Sequence, residues 1–138
     1  MRDYQPKKHN PYWLRRGLYH RILWLVKDYD EIREQWESLL EESPMMFDEE
    51  DGVRIYQPHG NKTGDRTADI AIRRAKLFEE LQAVDRAIEE IEPFYRQGIL
   101  NHIRRGDWFN TTNGASLRTW YRKQAEFLFR VASNLGNI

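Results

Sequence analysis

Apolar residues recur at alternating intervals of four and three along the first third of the chain. The members of this first apolar stripe are Leu18, Ile22, Leu25, Tyr29, Ile32, Trp36 and Leu39. Such spacing is typical of a helix that packs along another helix. The pattern predicts a helix that begins at Asn10 and Pro11, because Asn is a good N-cap and Pro suits the first helical position. The helix should end near Glu42, since Pro44 restricts the residue before it.

A second apolar stripe with the same spacing follows in the middle of the chain. Its members are Leu77, Leu81, Val84, Ile88 and Ile91. Thr67 is a suitable N-cap and Asp69 lies in the favourable first turn, so the pattern predicts a helix from Thr67 to about residue 92. Two long helices with matching stripes pair most simply as an antiparallel hairpin. We therefore expect a flexible N-terminus over residues 1–10 and a helical hairpin over residues 11–92.

Charge alternates in sign along this predicted hairpin. Residues 1–27 carry a net charge of +6, residues 28–52 carry −10, residues 53–76 carry +4 and residues 77–93 carry −5. Antiparallel pairing brings opposite signs together at both ends. Hairpin packing with solvated charge therefore explains this segregation without a ligand.

The connection over residues 44–66 is rich in Pro and Gly, and it contains two segments with alternative interpretations. The run of four acids at residues 48–51 is most simply a solvated turn, and a cation site or a nucleic-acid mimic is the alternative. Residues 59–68 either form a loop that caps the second helix or bind an anion through free backbone N–H groups.

Proline, glycine and serine divide the C-terminal part, residues 93–138, into two further helices. Pro93 predicts the start of a helix over residues 93–105, and Gly106 predicts its end. A connector over residues 107–114 follows, and Ser116 is a fair N-cap for the final helix. The fold class predicted for the chain is therefore all-α, with a long hairpin and a C-terminal helix-turn-helix-like module.

This C-terminal module is basic, although the whole chain is neutral. Residues 94–138 contain seven Arg or Lys side chains and two acids, whereas the total net charge is zero. A helix-turn-helix places its second helix in the major groove of DNA, where cations contact base edges and phosphates. The candidate DNA-binding residues are Arg104, Arg105, Arg118, Thr119, Arg122 and Lys123. Trp120 and Phe127 would anchor the final helix from behind. The alternative is an amphipathic surface helix whose cations only keep it soluble.

The composition excludes several other classes of function. The chain has no Cys and four scattered His residues, so we expect no disulfide, no metal and no cofactor. Phosphate-binding and nucleophile motifs are missing from the sequence, so we do not expect an enzyme and predict no catalytic residue. The apolar runs are too short for a membrane span or a signal peptide, and the expected location is cytoplasmic.

Residues 60–109, followed by the run SLRTWYRKQAEFLFRVASNLG, resemble the RinA/ArpU-like phage transcriptional regulators. In that family a segment with Gly, Asn, Thr and Asp opens a helix, a helical hairpin follows, and the tail is similar to the DNA-binding fourth region of sigma factors. The resemblance covers residues 60–138 and extends to the N-terminal helix only by layout. It implies a recognition helix over residues 116–124, with Arg118, Thr119, Arg122 and Lys123 facing DNA.

The function implied by this resemblance is activation of phage late or packaging genes in a bacterial host cell. Double-stranded DNA is then the expected partner, RNA polymerase or another protein is a further candidate, and a homodimer is left open. Sigma-like modules place a full helix where this chain has only residues 107–114. The alternative is therefore a non-enzymatic helical module for protein–protein interaction, such as a phage inhibitor or a packaging adaptor.

Overall fold

A computed structural model of the chain describes residues 5–42 and 61–138, and within these ranges it contains five α-helices and no strand. The helices are α1 (Arg16–Lys27), α2 (Tyr29–Glu42), α3 (Asn61–Glu89), α4 (Pro93–Arg105) and α5 (Leu117–Asn134), with a 3-10 turn at Thr111–Asn113. The predicted all-α class is confirmed. The long antiparallel hairpin, the helix-turn-helix geometry and the division into three segments stay predictions.

The chain forms two compact units. The first unit contains Met1–Tyr29 and Gln82–Ile138, and the second contains Asp30–Leu81. In the first unit, α1 packs against both α4 and α5, and α4 packs against α5. The largest fully buried side chains are Phe127, Ile22, Ile91, Ile99, Ile103, Leu128, Val26 and Val131. The N-terminal helix therefore shares a core with the C-terminal module.

Among the described residues, the second unit has a smaller set of buried side chains, to which both apolar stripes contribute. Leu39 comes from the first stripe, and Leu77 and Leu81 come from the second; all three are buried. Trp36 stacks on Phe78 with ring centroids 5.6 Å apart. Residues 43–60 lie outside the described residues, and with them the acidic run at residues 48–51.

The start of the first helix differs from the prediction. Asn10 does not begin a helix: its side-chain oxygen accepts the backbone N–H of Tyr12 at 2.9 Å, and its carbonyl accepts that of Trp13 at 3.0 Å. These bonds close a turn, and Arg15 is extended with ψ of 148°. Helix α1 therefore begins only at Arg16, after this turn and the non-helical Arg15.

The predicted continuous helix over the first apolar stripe is also wrong, because α1 ends at Lys27 and α2 begins at Tyr29. The N–H of Asp28 still bonds to the carbonyl of Trp24. The Tyr29 hydroxyl donates a hydrogen bond of 2.6 Å to Asp85 of α3. The boundary between the two units follows one residue later, between Tyr29 and Asp30, so the stripe is divided between the two units.

Helix α3 begins earlier than predicted. Asn61 is its first residue, so Thr67 lies inside the helix and is not its N-cap. The predicted connection over residues 44–66 is therefore too long at its C-terminal end. Residues 61–68 are helical, so they do not form the predicted loop, and Thr67 does not cap the helix; His59 and Gly60 lie outside the described residues.

The predicted boundaries of the C-terminal helices are confirmed. Helix α4 covers Pro93–Arg105, and Gly106 ends it in the left-handed conformation with φ of 75°. The side chain of Ser116 accepts the backbone N–H of Thr119 and caps α5. Proline at the first turn, glycine after the last turn and serine at the N-cap each have a local physical cause.

One buried polar group in the core of the first unit leads to a stability prediction. Gln124 is 3% exposed, and its Oε1 atom has no hydrogen-bond partner among the described residues. Burial of a carbonyl without a hydrogen bond costs about 1–3 kcal/mol. We expect Gln124→Met, which keeps the chain length, to raise the free energy of unfolding by about 1–2 kcal/mol.

Urea denaturation of the two proteins measures this difference. The matched control is Gln97→Met, at an exposed position of α4, which we expect to change stability by less than about 0.5 kcal/mol. A loss of stability on Gln124→Met would show that the amide makes a favourable interaction in solution.

Candidate nucleic-acid interface

The first turn of helix α5 is fixed by the Ser116 cap. The Oγ atom of Ser116 accepts the Thr119 N–H at 3.2 Å and lies 3.1 Å from the Thr119 hydroxyl. Arg118 is exposed in the same turn, and Arg122 is exposed one turn later. The cap therefore engages Thr119 within the helix, while the two arginines point outward.

The opposite face of α5 is anchored by Trp120. Its indole N–H donates a hydrogen bond of 3.1 Å to the carbonyl of Asn110, and its ring stacks on Phe109 at 5.0 Å and 11°. Phe127, farther along the helix, is fully buried. The predicted role of Trp120 and Phe127 as anchors of the final helix is therefore confirmed.

Tyr121 connects this aromatic cluster to the exposed side of α5. Its ring makes edge contacts with Phe109 at 5.2 Å and with His102 at 5.7 Å. His102 stacks on Phe109 at 4.1 Å, and its Nδ1 atom lies 2.8 Å from the carbonyl oxygen of Asp107. The connector is thus held to both α4 and α5.

A groove of about 470 Å³ runs between α5 and the N-terminal segment. We call it the basic groove, and it is lined by Pro6, Lys7, His9, Asn10, Tyr12, Arg118, Tyr121, Arg122 and Ala125. The lining contains three Lys or Arg side chains and a histidine, and among the described residues it contains no carboxylate. Two of the six residues predicted from the sequence, Arg118 and Arg122, line this groove.

The N-terminal wall of the groove is held by several contacts. The Tyr12 ring lies 5.6 Å from the Phe129 ring of α5 in an edge-to-face arrangement. Gln5 accepts the Leu14 N–H at 3.3 Å, and the Leu14 side chain is buried in the core. Residues 5–14 are therefore positioned along α5.

Lys123 has a different environment from the two arginines. Its ammonium group lies 2.6 Å from Glu92 and 3.9 Å from Glu126, and 5.4 Å from the centroid of the Tyr95 ring. The hydrogen bond with Glu92 raises the pKa of Lys123, against a smaller opposing effect of desolvation. Lys123 does not line the basic groove, and its charge is compensated within the fold.

Arg104 and Arg105 end helix α4, where cations interact favourably with the helix dipole. Both are exposed, and the guanidinium carbon of Arg104 lies 6.0 Å from the centroid of the Tyr29 ring. Neither residue lines the basic groove. The six predicted residues thus have different environments. Two of them, Arg118 and Arg122, line the basic groove. Thr119 bonds to the Ser116 cap, Lys123 pairs with carboxylates, and the other two lie at the end of α4.

Sequence reasoning did not identify Lys7 and His9 as site residues. The cluster of Lys7, Lys8 and His9 is visible in the sequence, but it lies in a segment that we expected to be flexible. Its position next to α5 depends on contacts between residues more than a hundred positions apart. The charge of the cluster is therefore the only signal that the sequence offers.

Residues 5–41 and 66–138, whose side chains the structure describes, contain no group of three or more His, Asp or Glu side chains placed to hold a metal ion. Within those same ranges, no helix combines the length and the apolar character needed to cross a bilayer.

Comparisons with protein-family models, with curated protein sequences and with solved structures gave no match. The resemblance to the RinA/ArpU-like regulators is therefore supported only by the residues that carry it.

Proposed function

We propose that this chain binds duplex DNA through the basic groove and acts as a phage-type transcriptional regulator. The observation that carries the proposal is the grouping of Lys7, Arg118 and Arg122 around one groove, in which the described lining residues include no carboxylate. Cations concentrated in a cleft attract polyanions more strongly than the same cations dispersed over a surface. The neutral total charge of the chain is consistent with this arrangement, because the electrostatic attraction is local.

The structure of α5 suits a helix that presents cations to a ligand. Arg118 and Arg122 are one turn apart on the exposed face, while Trp120 and Phe127 fix the opposite face in the core. A helix held in this way loses little conformational freedom when it binds. Arginine pairs with phosphate through two parallel hydrogen bonds, and it makes the same kind of contact with guanine.

The regulatory part of the proposal rests on the resemblance to RinA/ArpU-like proteins. A regulator of that kind would act on promoter DNA in the cytoplasm of a bacterial host, with RNA polymerase as a candidate partner. Arg104 and Arg105 are candidates for flanking phosphate contacts. Thr119 and Lys123 are weaker candidates, since a cap and two carboxylates already engage them.

We expect the double variant Arg118→Ala/Arg122→Ala to bind duplex DNA more weakly and with less dependence on salt. Loss of two phosphate contacts should lower the slope of log affinity against log salt by about one to two units. Near 0.1 M salt this corresponds to a loss of affinity on the order of ten- to a hundredfold. Fluorescence anisotropy of a labelled duplex in a salt series measures both quantities.

The control is Arg73→Ala/Arg86→Ala, which removes the same charge from two exposed positions of α3. Phosphate contacts are independent of sequence, so a duplex of mixed sequence is sufficient as the probe. If the groove variant and this control have the same affinity and the same salt slope, the basic groove is not the DNA-binding site.

The second candidate function is that of a helical module for protein–protein interaction. Trp108 favours it, because this large aromatic side chain is 94% exposed on the connector. Exposed tryptophans are frequent anchors of protein interfaces. Lack of duplex binding by the wild-type chain, together with light scattering that shows a stable homodimer dependent on Trp108, would favour this function over DNA binding.

A further inference from the structure

The exposed face of α5 that carries Arg118 and Arg122 is bordered by the N-terminal segment, residues 6–12. Tyr12 contacts Phe129 near the C-terminal half of α5, and the basic groove extends from there toward Arg118. Arg118 and Arg122 thus form one wall of a concave site. A recognition helix that enters a major groove presents a convex surface, so the arrangement here differs from that of a simple protruding helix.

The second wall of the groove carries its own polar and aromatic groups. Lys7 and His9 line it, and both side chains are exposed. Tyr12 belongs to this wall, and Tyr121 belongs to the wall formed by α5. Each wall therefore combines a cation with a tyrosine, and side chains of both kinds contact the phosphates and sugars of duplex DNA.

The volume of the groove limits what it can enclose. About 470 Å³ lies within the range of pockets that hold small molecules, roughly 300–1,000 Å³. A short length of sugar–phosphate backbone fits such a space, whereas a whole duplex does not. The groove is open to solvent at its cationic side chains, so one strand of a duplex can enter while its partner strand stays outside.

We propose that one sugar–phosphate strand of the bound DNA lies in the basic groove, with Lys7 and His9 contacting it from the side opposite Arg118 and Arg122. This inference rests on the proposed DNA-binding function and adds the N-terminal segment to the site. Lys7 donates hydrogen bonds to a phosphate that faces α5. His9 and Asn10 supply further polar contacts, and the tyrosine rings lie against the sugars.

The chain offers a matched pair of lysines for the test. Lys7 lines the groove, whereas Lys8 does not; its ammonium lies 5.9 Å from the centroid of the Trp13 ring. Lys7→Ala and Lys8→Ala therefore remove the same charge from adjacent exposed positions. If the lysines act only through their charge, the two variants should lose equal affinity for duplex DNA. If Lys7 contacts DNA in the groove, Lys7→Ala should lose more affinity than Lys8→Ala.

We expect Lys7→Ala to lower the salt slope of duplex binding by about one unit and to reduce affinity up to about tenfold near 0.1 M salt. Lys8→Ala should reduce affinity about twofold or less, as a charge outside the contact contributes only at long range. Anisotropy titrations of the full chain with a mixed-sequence duplex give both values. Thermal unfolding of both variants checks that the fold is unchanged.

A double-mutant cycle tests whether the two walls contact the same strand. If Lys7 and Arg122 hold neighbouring phosphates, the affinity loss of Lys7→Ala/Arg122→Ala should differ from the product of the single losses. For Lys8 and Arg122, the affinity loss of the double variant should equal the product of the two single losses.

The outcomes separate the inference from the proposed function. Equal effects of Lys7→Ala and Lys8→Ala, whether small or large, would overturn the inference. If Arg118→Ala/Arg122→Ala still loses affinity in that case, the proposed function stands without the N-terminal wall. If Arg118→Ala/Arg122→Ala has no effect, both are wrong.

Discussion

Replacement of Trp120 by alanine is expected to lower the free energy of unfolding by about 3–5 kcal/mol. The indole is 3% exposed, stacks on Phe109 at 5.0 Å and makes an edge contact with Tyr95 at the same distance. Alanine would leave a cavity at the junction of α4, the connector and α5. It would also remove the 3.1 Å hydrogen bond to Asn110, which leaves that carbonyl without its indole donor.

Trp108→Ala is the matched control for this prediction, because Trp108 is 94% exposed on the same connector. We expect its effect on stability to stay within about 0.5 kcal/mol. Chemical denaturation followed by far-ultraviolet circular dichroism compares the two variants with the wild-type protein. A loss for Trp120→Ala no larger than that for Trp108→Ala would contradict the burial of Trp120.

The C-terminal helices could be predicted from the sequence because each boundary has a local cause. Pro93 has a fixed φ and no N–H group, so it suits a first turn, and Gly106 adopts the left-handed conformation that ends a helix. Ser116 has a hydroxyl that accepts an N–H of the next turn. These effects act within four residues, and the structure has the same boundaries.

The N-terminal half was less predictable because its boundaries depend on tertiary contacts. The first apolar stripe continues through Asp28 without any change of spacing, so nothing in the pattern indicates the break there. In the structure, the stripe up to Tyr29 belongs to the unit that contains α4 and α5, and the stripe from Ile32 onward belongs to the second unit. Apolar spacing shows which face is buried but not which core buries it.

The candidate site was predictable only in part, because helical spacing shows which side chains share a face but not what packs against that face. Arg118 and Arg122 were found because helical spacing places them on one exposed face. Lys123 lies on the same helix, but Glu92, which is 31 positions away, pairs with it. The contribution of Lys7 and His9 depends on packing of residues 5–14 along α5. Charge in the sequence therefore identifies candidate side chains, and only packing shows which of them share a groove.

Gly98→Val is expected to lower the free energy of unfolding by about 3 kcal/mol, since it overpacks a close helix contact. A Cβ atom at Gly98 would lie 2.7 Å from both Cη2 and Cζ3 of Trp120. Those atoms belong to a buried ring that Phe109 and Tyr95 hold in place, so they cannot move without disturbing the aromatic cluster. Valine adds two further methyl groups at the same point and is a weaker helix former than alanine.

The smaller substitution Gly98→Ala separates the steric effect from helix propensity. Alanine in a helix interior gains about 1 kcal/mol over glycine, and the clash should exceed this gain. Gly17 in α1 is the control, because a Cβ atom there meets nothing within 4 Å. Gly17→Ala should therefore raise stability by up to about 1 kcal/mol. Urea denaturation of both variants gives the two changes, which should have opposite signs.

The cause of the Gly98 effect can be tested by changing the ring that it faces. Trp120→Phe removes the distal part of the indole, so Gly98→Ala should cost less in that background than in the wild-type protein. This comparison is a double-mutant cycle, in which neighbouring residues commonly show interaction energies of about 0.5–3 kcal/mol. An equal cost of Gly98→Ala in both backgrounds would show that the close approach to Trp120 is not the cause. A reduced cost would identify the close approach of Gly98 to the Trp120 ring as the reason why glycine is required at this position of α4.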